Sequence, residues 1–390
     1  EQVLNASPSA TRAMLNTVLS RWRNTEAMLR QSEKMAQLGT LSAGVAHTSQ
    51  SRRSSLRSFG YRYIGNNGLP PIEVQQQRID FLFSDFNINE NGFIIEERTP
   101  AGGNNLYDAE LEVTGAYAKV DVEPIQYVRI ALGGRFEQGF QTVITRDRSE
   151  APVSTIKNNE EYFLPAGTVT WNFAPDMQLK LGASKTIGRP QFRELAPQFY
   201  RDPENDRTYV GNPFLVDTEF TNADIRYEYF FGPQQYFTLG AFYKDITKPV
   251  ETFIISNINS NLQSFLNAPS AELVGGEIEV KKLWDSPFDA DWLATKEFLV
   301  QANYTYTDSK LQIDPSDTVA TRNGGTPQAA SDFFIDGAQL QGQSEHIANL
   351  QFGYEDQVAG SQATFIVTYA SERIAARGGS SNPDFIQEPG

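Results

Sequence analysis

The chain has 390 residues, 21% charged and 12% aromatic, with 26 Phe and 16 Tyr against 4 Trp, and a net charge of −15. No stretch approaches the roughly 18 apolar residues of a membrane-spanning helix, which excludes a helical membrane protein. The acidic balance argues against nucleic acid as a partner, and the absence of cysteine excludes disulfides and thiolate metal sites. A mean hydropathy of −0.43 is that of many soluble proteins, yet it also suits a barrel whose alternate residues face lipid and whose long loops are polar.

The first segment follows a helical period. Leu15, Val18, Leu19, Trp22, Met28, Leu29, Met35, Leu38, Leu41 and Val45 recur at three- and four-residue spacings, as on one face of an amphipathic helix. Proline is absent from residue 9 to 69, and Ser7 or Ser9 is placed to cap the start. The pattern predicts a long N-terminal helix over 1–47. Residues 1–57 are also basic, with eight Lys/Arg against three Asp/Glu, so the rest of the chain carries about −20.

Within that segment, Ser32-Glu33-Lys34-Met35-Ala36-Gln37-Leu38-Gly39-Thr40-Leu41-Ser42-Ala43-Gly44-Val45-Ala46-His47 resembles the phospho-acceptor helix of sensor histidine kinases. The resemblance implies that His47 is the acceptor, since a neutral imidazole is a competent nucleophile near pH 7. That family follows the histidine with an acid that orients it, then Asn and Pro. Here Thr48-Ser49-Gln50 follows, and the second hairpin helix and the nucleotide-binding boxes are missing. His47 is therefore expected to be a vestigial acceptor, and the chain is not expected to be an enzyme. Residues 48–57 are rich in Ser and Arg, with Leu56 the one large apolar residue. They predict a protease-sensitive linker, the seam of a fusion between two proteins.

From Phe59 the period becomes two. Val128, Ile130, Leu132 and Phe136 oppose Arg129, Arg135 and Glu137; Phe298, Val300, Ala302, Tyr304 and Tyr306 oppose Gln301, Asn303 and Thr305. Ten strands are predicted at about 106–122, 125–145, 160–173, 177–187, 219–231, 235–247, 271–284, 296–308, 344–354 and 361–372, with a further hairpin from 78–83 and 92–97. Short reversals at Glu123-Pro124, Pro175-Asp176, Gly232-Pro233, 285–295 and 355–360 alternate with long polar excursions at 146–160, 188–218, 248–270, 309–343 and beyond 374. Soluble sandwiches use strands of about 5–6 residues. Strands two to three times longer, with short turns on one rim and long loops on the other, are those of a transmembrane barrel. Tyr117, Tyr127, Phe173, Tyr229, Phe231 and Tyr236, near strand ends, supply the interfacial girdles.

Four runs resemble TonB-dependent outer-membrane receptors: Ala183-Ser184-Lys185-Thr186-Ile187-Gly188-Arg189-Pro190-Gln191-Phe192-Arg193-Glu194-Leu195-Ala196-Pro197, Val210-Gly211-Asn212-Pro213-Phe214-Leu215, Leu239-Gly240-Ala241-Phe242-Tyr243-Lys244-Asp245, and Gly275-Gly276-Glu277-Ile278-Glu279-Val280. The resemblance covers about 58–385. It implies an energised importer, a barrel of about 22 strands closed by an internal plug and opened by the inner-membrane TonB system. The expected fold is mainly β, an antiparallel up-and-down barrel of about 10–12 of those strands after the N-terminal helix. The expected domains are a kinase-like helix (1–47), a seam (48–57) and the barrel portion (58–390). Set against that family, residues 1–390 are not expected to supply the plug, the TonB-contacting box, a signal peptide or the terminal aromatic read by assembly machinery.

The implied setting is the outer membrane of a Gram-negative cell, with membrane lipid, the TonB system and an unidentified small molecule as partners. The expected function is uptake of a scarce ligand such as a ferric chelate, a vitamin or an oligosaccharide. The rival readings are a histidine-kinase fragment acting through His47 and a passive pore. No catalytic constellation, cofactor or metal site is expected. His47 and His346 lie about 300 residues apart, and His346 starts a strand as a rim residue. The acids at 202–206 lack the oxygen spacing of a calcium loop. Gly275-Gly276 marks a close approach within a strand rather than a phosphate cradle. Arg189 and Arg193 open the 188–218 loop and are the candidates for an anionic ligand, although pairing with Glu194 or Asp202 is the preferred reading.

Overall fold

The computed structural model describes residues 40–64, 70, 72–82, 84–86, 88, 92–98, 106–202, 207–257, 260–285, 295–324, 327–356, 358–378 and 383–390. Its frame is an antiparallel sheet of eleven strands. They are β1 (Thr40–Ser55), β2 (Leu106–Ile125), β3 (Val128–Arg146), β4 (Pro152–Ala174), β5 (Met177–Gly188), β6 (Thr218–Gly232), β7 (Gln235–Thr247), β8 (Ser270–Asp285), β9 (Lys296–Gln312), β10 (His346–Asp356) and β11 (Ser361–Ala370). Each pairs with its neighbours in this order, as a meander. All ten strands expected after residue 105 are present. β4 starts sooner than expected because Lys157, Asn158, Asn159 and Glu160 are polar on both faces, which reads as loop in the sequence.

Cross-strand partners share a face, so the registers sort the side chains into two sets. Ile130, Val169, Leu181, Ile225 and Ala241 are successive partners in one apolar row. Offset by one residue, Arg129, Thr170, Lys180, Arg226, Gly240, Glu277 and Thr305 form the opposite, polar row. Ion pairs lace that polar face: Arg129–Asp121 at 2.6 Å, Lys180–Glu228 at 3.0 Å and Arg226–Glu277 at 3.1 Å. The apolar face leaves Leu132, Phe136, Phe163, Trp171, Leu181, Leu239 and Phe365 exposed. Apolar outside and polar inside is the arrangement of a lipid-facing barrel wall.

The N-terminal expectation needs correction. Residues 1–39 lie outside the described residues, but 40–47 are strand, not helix. Every residue from Thr40 to Ser55 is in register with β2, Val45 opposite Ala116 and Leu41 opposite Val120. Leu41 and Val45, four residues apart, share a face in a helix and in a strand alike, so their spacing could not tell the two apart. They stand 75% and 85% exposed on the apolar face. The segment expected as a linker continues β1 as far as Ser55, and Arg53 there meets Asp108 at 3.7 Å and Glu150 at 3.1 Å. His47 faces outward, its Nδ1 3.1 Å from the Thr114 hydroxyl. The expected 78–83/92–97 hairpin is also replaced: Ile79–Leu82 is a helical turn, and Phe93–Glu97 pairs with Phe59–Tyr63.

Among the described residues, β1 and β11 are each paired on one side only, so the sheet is open. Both run toward the long-loop end. Only an odd number of further strands would close the sheet with antiparallel pairing throughout. The tight turns lie at the other end, where Tyr127 and Gln234 take left-handed φ values of 71° and 57°. Burial is concentrated at the long-loop end. Tyr107, Val143, Ile156, Ile246, Leu273 and Leu311, all from the polar-face set, are covered there by the loops. The loops therefore fold over the mouth of the polar face.

Candidate functional site

Three loops build this cover. In 188–218, Phe192–Leu195 is one helical turn that buries Phe192 and Leu195. Chain from the same loop, Phe199–Asp202 and Arg207–Val210, joins the hairpin of Val250–Asn257 and Ser260–Asn267 in a four-stranded sheet. These short strands were missed in the sequence, where they lie within polar excursions. A Cβ at Gly211 would collide with the Ala196 backbone, so the chain can pass there only as glycine. That approach seats Asn212, fully buried, whose side-chain nitrogen donates to the carbonyls of Phe265 and Ala320, both at 2.9 Å. One residue thus ties together the 188–218, 248–270 and 313–345 loops. At Gly275, likewise, a Cβ would strike the Tyr306 carbonyl and the Phe242 ring.

Two ion clusters flank the space beneath the cover. In the first, Arg189 donates to Glu137 at 2.7 Å, Arg135 donates to the other oxygen of Glu137 at 2.7 Å, and Asp217 lies 3.7 Å from Arg189. The Tyr162 hydroxyl donates to Asp217 at 3.1 Å. Burial pushes the Asp217 carboxyl above the usual range, against the pull of Tyr162 and Arg189. In the second cluster, Arg377 donates to Glu251 at 2.7 Å and lies 3.3 Å from Asp384. Burial likewise raises Glu251, opposed by Arg377.

Between them lies an open cavity of about 400 Å³, within the roughly 300–1,000 Å³ of small-molecule sites. Its walls come from the end of β5 and the following turn (Arg189, Gln191, Glu194), β6 and β7 (Phe220, Ile246), and two loops (Glu251, Gln341, Gln343). Glu194 accepts from the Gln191 amide at 2.8 Å, and burial raises its pKa.

Of the two arginines singled out in the sequence, Arg189 lines this cavity and Arg193 does not. Arg189 pairs with Glu137 and Asp217, and Arg193 lies 6.0 Å over the Tyr200 ring. Tyr200 stacks on Tyr209 at 5.3 Å and Tyr209 on Phe265 at 6.1 Å. The sequence reading missed Glu251 and Arg377. The available signal was an acid inside the apolar run Val250-Glu251-Thr252-Phe253-Ile254, which a strand tolerates only when the charge is paired. His346 begins β10 on the outward face, its Nδ1 2.8 Å from the Tyr304 hydroxyl. Among the described residues no group of three or more His, Cys, Asp or Glu is placed to hold a metal.

A family model described as TonB dependent receptor-like, beta-barrel matches residues 13–387. The chain belongs to that family. Its members are transport receptors of the outer membrane rather than enzymes. The match also runs through 13–47, so it gives no support to a histidine-kinase segment or a fusion seam there. Among solved structures, the ferric-catecholate import receptor Fiu from K12 E. coli aligns with a TM-score of 0.51 at 12% identity, over 90% of this chain and 44% of that one. The Serratia marcescens hemophore receptor HasR, solved with its hemophore HasA and heme, gives 0.48 at 12% identity, over 89% and 53%. The FrpB iron transporter from Neisseria meningitidis gives 0.42 at 10% identity, over 73% and 37%. At such identities the likeness is one of fold, and the chain spans between 37% and 53% of these relatives. No curated protein matches the sequence.

Proposed function

We propose that this chain provides barrel wall and ligand-facing loops of an outer-membrane receptor for TonB-powered uptake of a scarce small molecule, in the class of ferric chelates, vitamins and oligosaccharides. The cavity between the Arg189 and Glu251 clusters carries the reading, because it lies on the polar face under loops that cover the mouth. A passive pore would leave that mouth clear for solutes. The likeness to a ferric-catecholate import receptor supports the barrel fold, and the family supplies the expectation of a TonB partner and a lipid surround. Arg189 and the residues around it are the proposed ligand contacts.

Two measurements test the proposal. Cell fractionation should place the protein in the outer membrane, and uptake of its ligand should stop in cells lacking TonB. Recovery in the soluble fraction, or uptake unaffected by TonB loss, would refute it.

A further inference from the structure

The short-turn end of the sheet differs in charge from the loop end. In sequence its five reversals, 123–127, 175–176, 232–233, 285–295 and 355–360, hold Glu123, Asp176, Asp285, Asp289, Asp291, Glu355 and Asp356 and not one Lys or Arg. The long loops mix the two signs, with four Arg in 188–218 alone. Asp356 is buried and matched by Lys296 at 3.0 Å, while Glu123 and Glu355 are exposed.

At this end lies a groove of about 650 Å³, lined by Tyr127, Phe173, Pro175, Asp176, Met177 and Phe230. Backbone hydrogen bonds between neighbouring hairpins fix its frame. The Asn172 amide donates to the Tyr127 carbonyl and the Phe230 amide to the Asp176 carbonyl, both at 2.8 Å. The Phe173 ring packs between Trp171 at 5.4 Å and Tyr227 at 6.2 Å. Even so, Tyr127, Phe173 and Phe230 stand 57%, 42% and 44% exposed. Tyr127 does so at a left-handed φ of 71°, a backbone state that glycine enters freely and that costs a tyrosine about 1–2 kcal/mol. A strained residue that holds a large ring open to solvent in a groove points to an occupant for that ring.

The charge around the groove selects the occupant. Acidic turns repel anionic lipid headgroups, and the same field draws in a cationic chain. A large apolar side chain then fills the groove as an anchor, with flanking charges setting orientation and on-rate.

We propose that this groove docks a basic segment of a soluble protein, seating an apolar anchor residue against Tyr127, Phe173 and Phe230 and presenting Lys or Arg to Glu123 and Asp176. The short turns of a transmembrane barrel face the periplasm, so the partner is a periplasmic protein. That placement rests on the receptor reading above; the groove itself does not.

The test is fluorescence anisotropy of labelled peptides with the full chain in non-ionic detergent micelles. The probes are a lysine-rich peptide with one central tryptophan, the same peptide with alanine in place of tryptophan, and a glutamate-rich counterpart. The tryptophan peptide should saturate one site and weaken steeply between about 0.01 and 1 M salt, as the screening length falls from roughly 30 to 3 Å. The alanine peptide should bind about tenfold less tightly, and the glutamate-rich peptide should not bind. Tyr127→Gly suits the backbone and removes the ring, and should weaken the tryptophan peptide about tenfold. Asp176→Asn should weaken it about two- to fivefold. Glu110→Gln, an exposed acid toward the long-loop end, should leave it unchanged and separates the groove from the overall charge. No saturable binding, equal binding of the tryptophan and alanine peptides, or affinity indifferent to both groove variants would overturn the proposal. So would a loss in Glu110→Gln equal to that in Asp176→Asn. Mislocalisation in the fractionation experiment would defeat the periplasmic placement and the receptor reading together, whatever the peptides did.

Discussion

Glu251 and Arg377 are 126 residues apart in sequence and 2.7 Å apart in space, each with a side chain only 2% exposed. The pair fastens the 248–270 hairpin to the segment after β11, where the Ile254 amide donates to the Arg377 carbonyl and the Arg377 amide to the Thr252 carbonyl, both at 2.8 Å. A buried pair of this kind contributes little net stability against an apolar replacement, but losing one partner strands the other charge, at a cost of roughly 3–5 kcal/mol. Arg377→Met should therefore open the loop cover, seen as fast amide hydrogen exchange at Ile254 and Gly342. The double change Glu251→Leu with Arg377→Met should restore most of the protection. Equal exchange in the single and double variants would show that the pair does not hold the loops.

Glu194 gives the cover a pH dependence. Its folded-state pKa is raised by burial, only partly offset by the Gln191 amide and Arg193. A raised carboxyl binds its proton more tightly when folded, so its stabilisation is complete below the unfolded glutamate value and fades as pH climbs through the folded one. Asp217 and Glu251 shift in the same direction. Exchange protection of the loops should accordingly fall from about pH 4 toward neutrality. Glu194→Gln keeps an acceptor for the Gln191 amide and should flatten the dependence. A steeper loss of protection on acidification would contradict this.

Asn212 is the third fastening. Asn212→Ala removes the donor to Phe265 and Ala320, leaving both carbonyls without it, a loss of about 1–3 kcal/mol for each buried group left unpaired. Thermal unfolding followed in the near ultraviolet, where Tyr200, Tyr209 and Phe265 report, should shift down, while the far-ultraviolet signal of the long strands changes little.

Much of this architecture was legible because the long strands carry their own signal. Ile130 beside Arg129 and Ala302 beside Gln301 announce a two-residue period, and pairing with the next strand needs only a short turn. The loop sheet carried no such signal. Phe199–Asp202 and Arg207–Val210 have four residues each, and the parallel contact of Leu262 with Thr208 joins chain more than fifty residues away. At the N-terminus the wording of 32–47 outweighed its alternation, although Leu41, Ala43 and Val45 already spell an outward-facing row. For the site, Arg189 was visible as a charge opening a loop. Its partners Glu137 and Asp217 come from β3 and the approach to β6, and only register brings them together.

The two faces make opposite demands on a charge. Leu181 lies in the apolar row between Val169 and Ile225, and Thr168, one residue off in the neighbouring strand, faces the polar side. A lysine on the lipid side costs about 2–4 kcal/mol near the bilayer midplane, and a lumenal one far less. Leu181→Lys should sharply reduce the fraction of protein inserted into lipid vesicles, with Thr168→Lys close to the parent. Equal insertion of both would mean that the apolar face does not meet lipid.

The placement of β1 is open to a covalent test, because the chain has no cysteine of its own. Val45 is the register partner of Ala116. Opposed residues of antiparallel strands have Cα atoms about 4.5–5.5 Å apart, inside the span a disulfide bridges. Val45→Cys with Ala116→Cys should therefore cross-link under mild oxidation, giving a band that migrates faster on non-reducing gels and reverts with thiol. Val45→Cys with Ala118→Cys, two residues out of register, should cross-link poorly. Preference for position 118 would mean a strand slipped by two residues, which keeps Val45 on the apolar face. Failure at both positions would restore the helical reading of 40–47 and detach β1 from the wall.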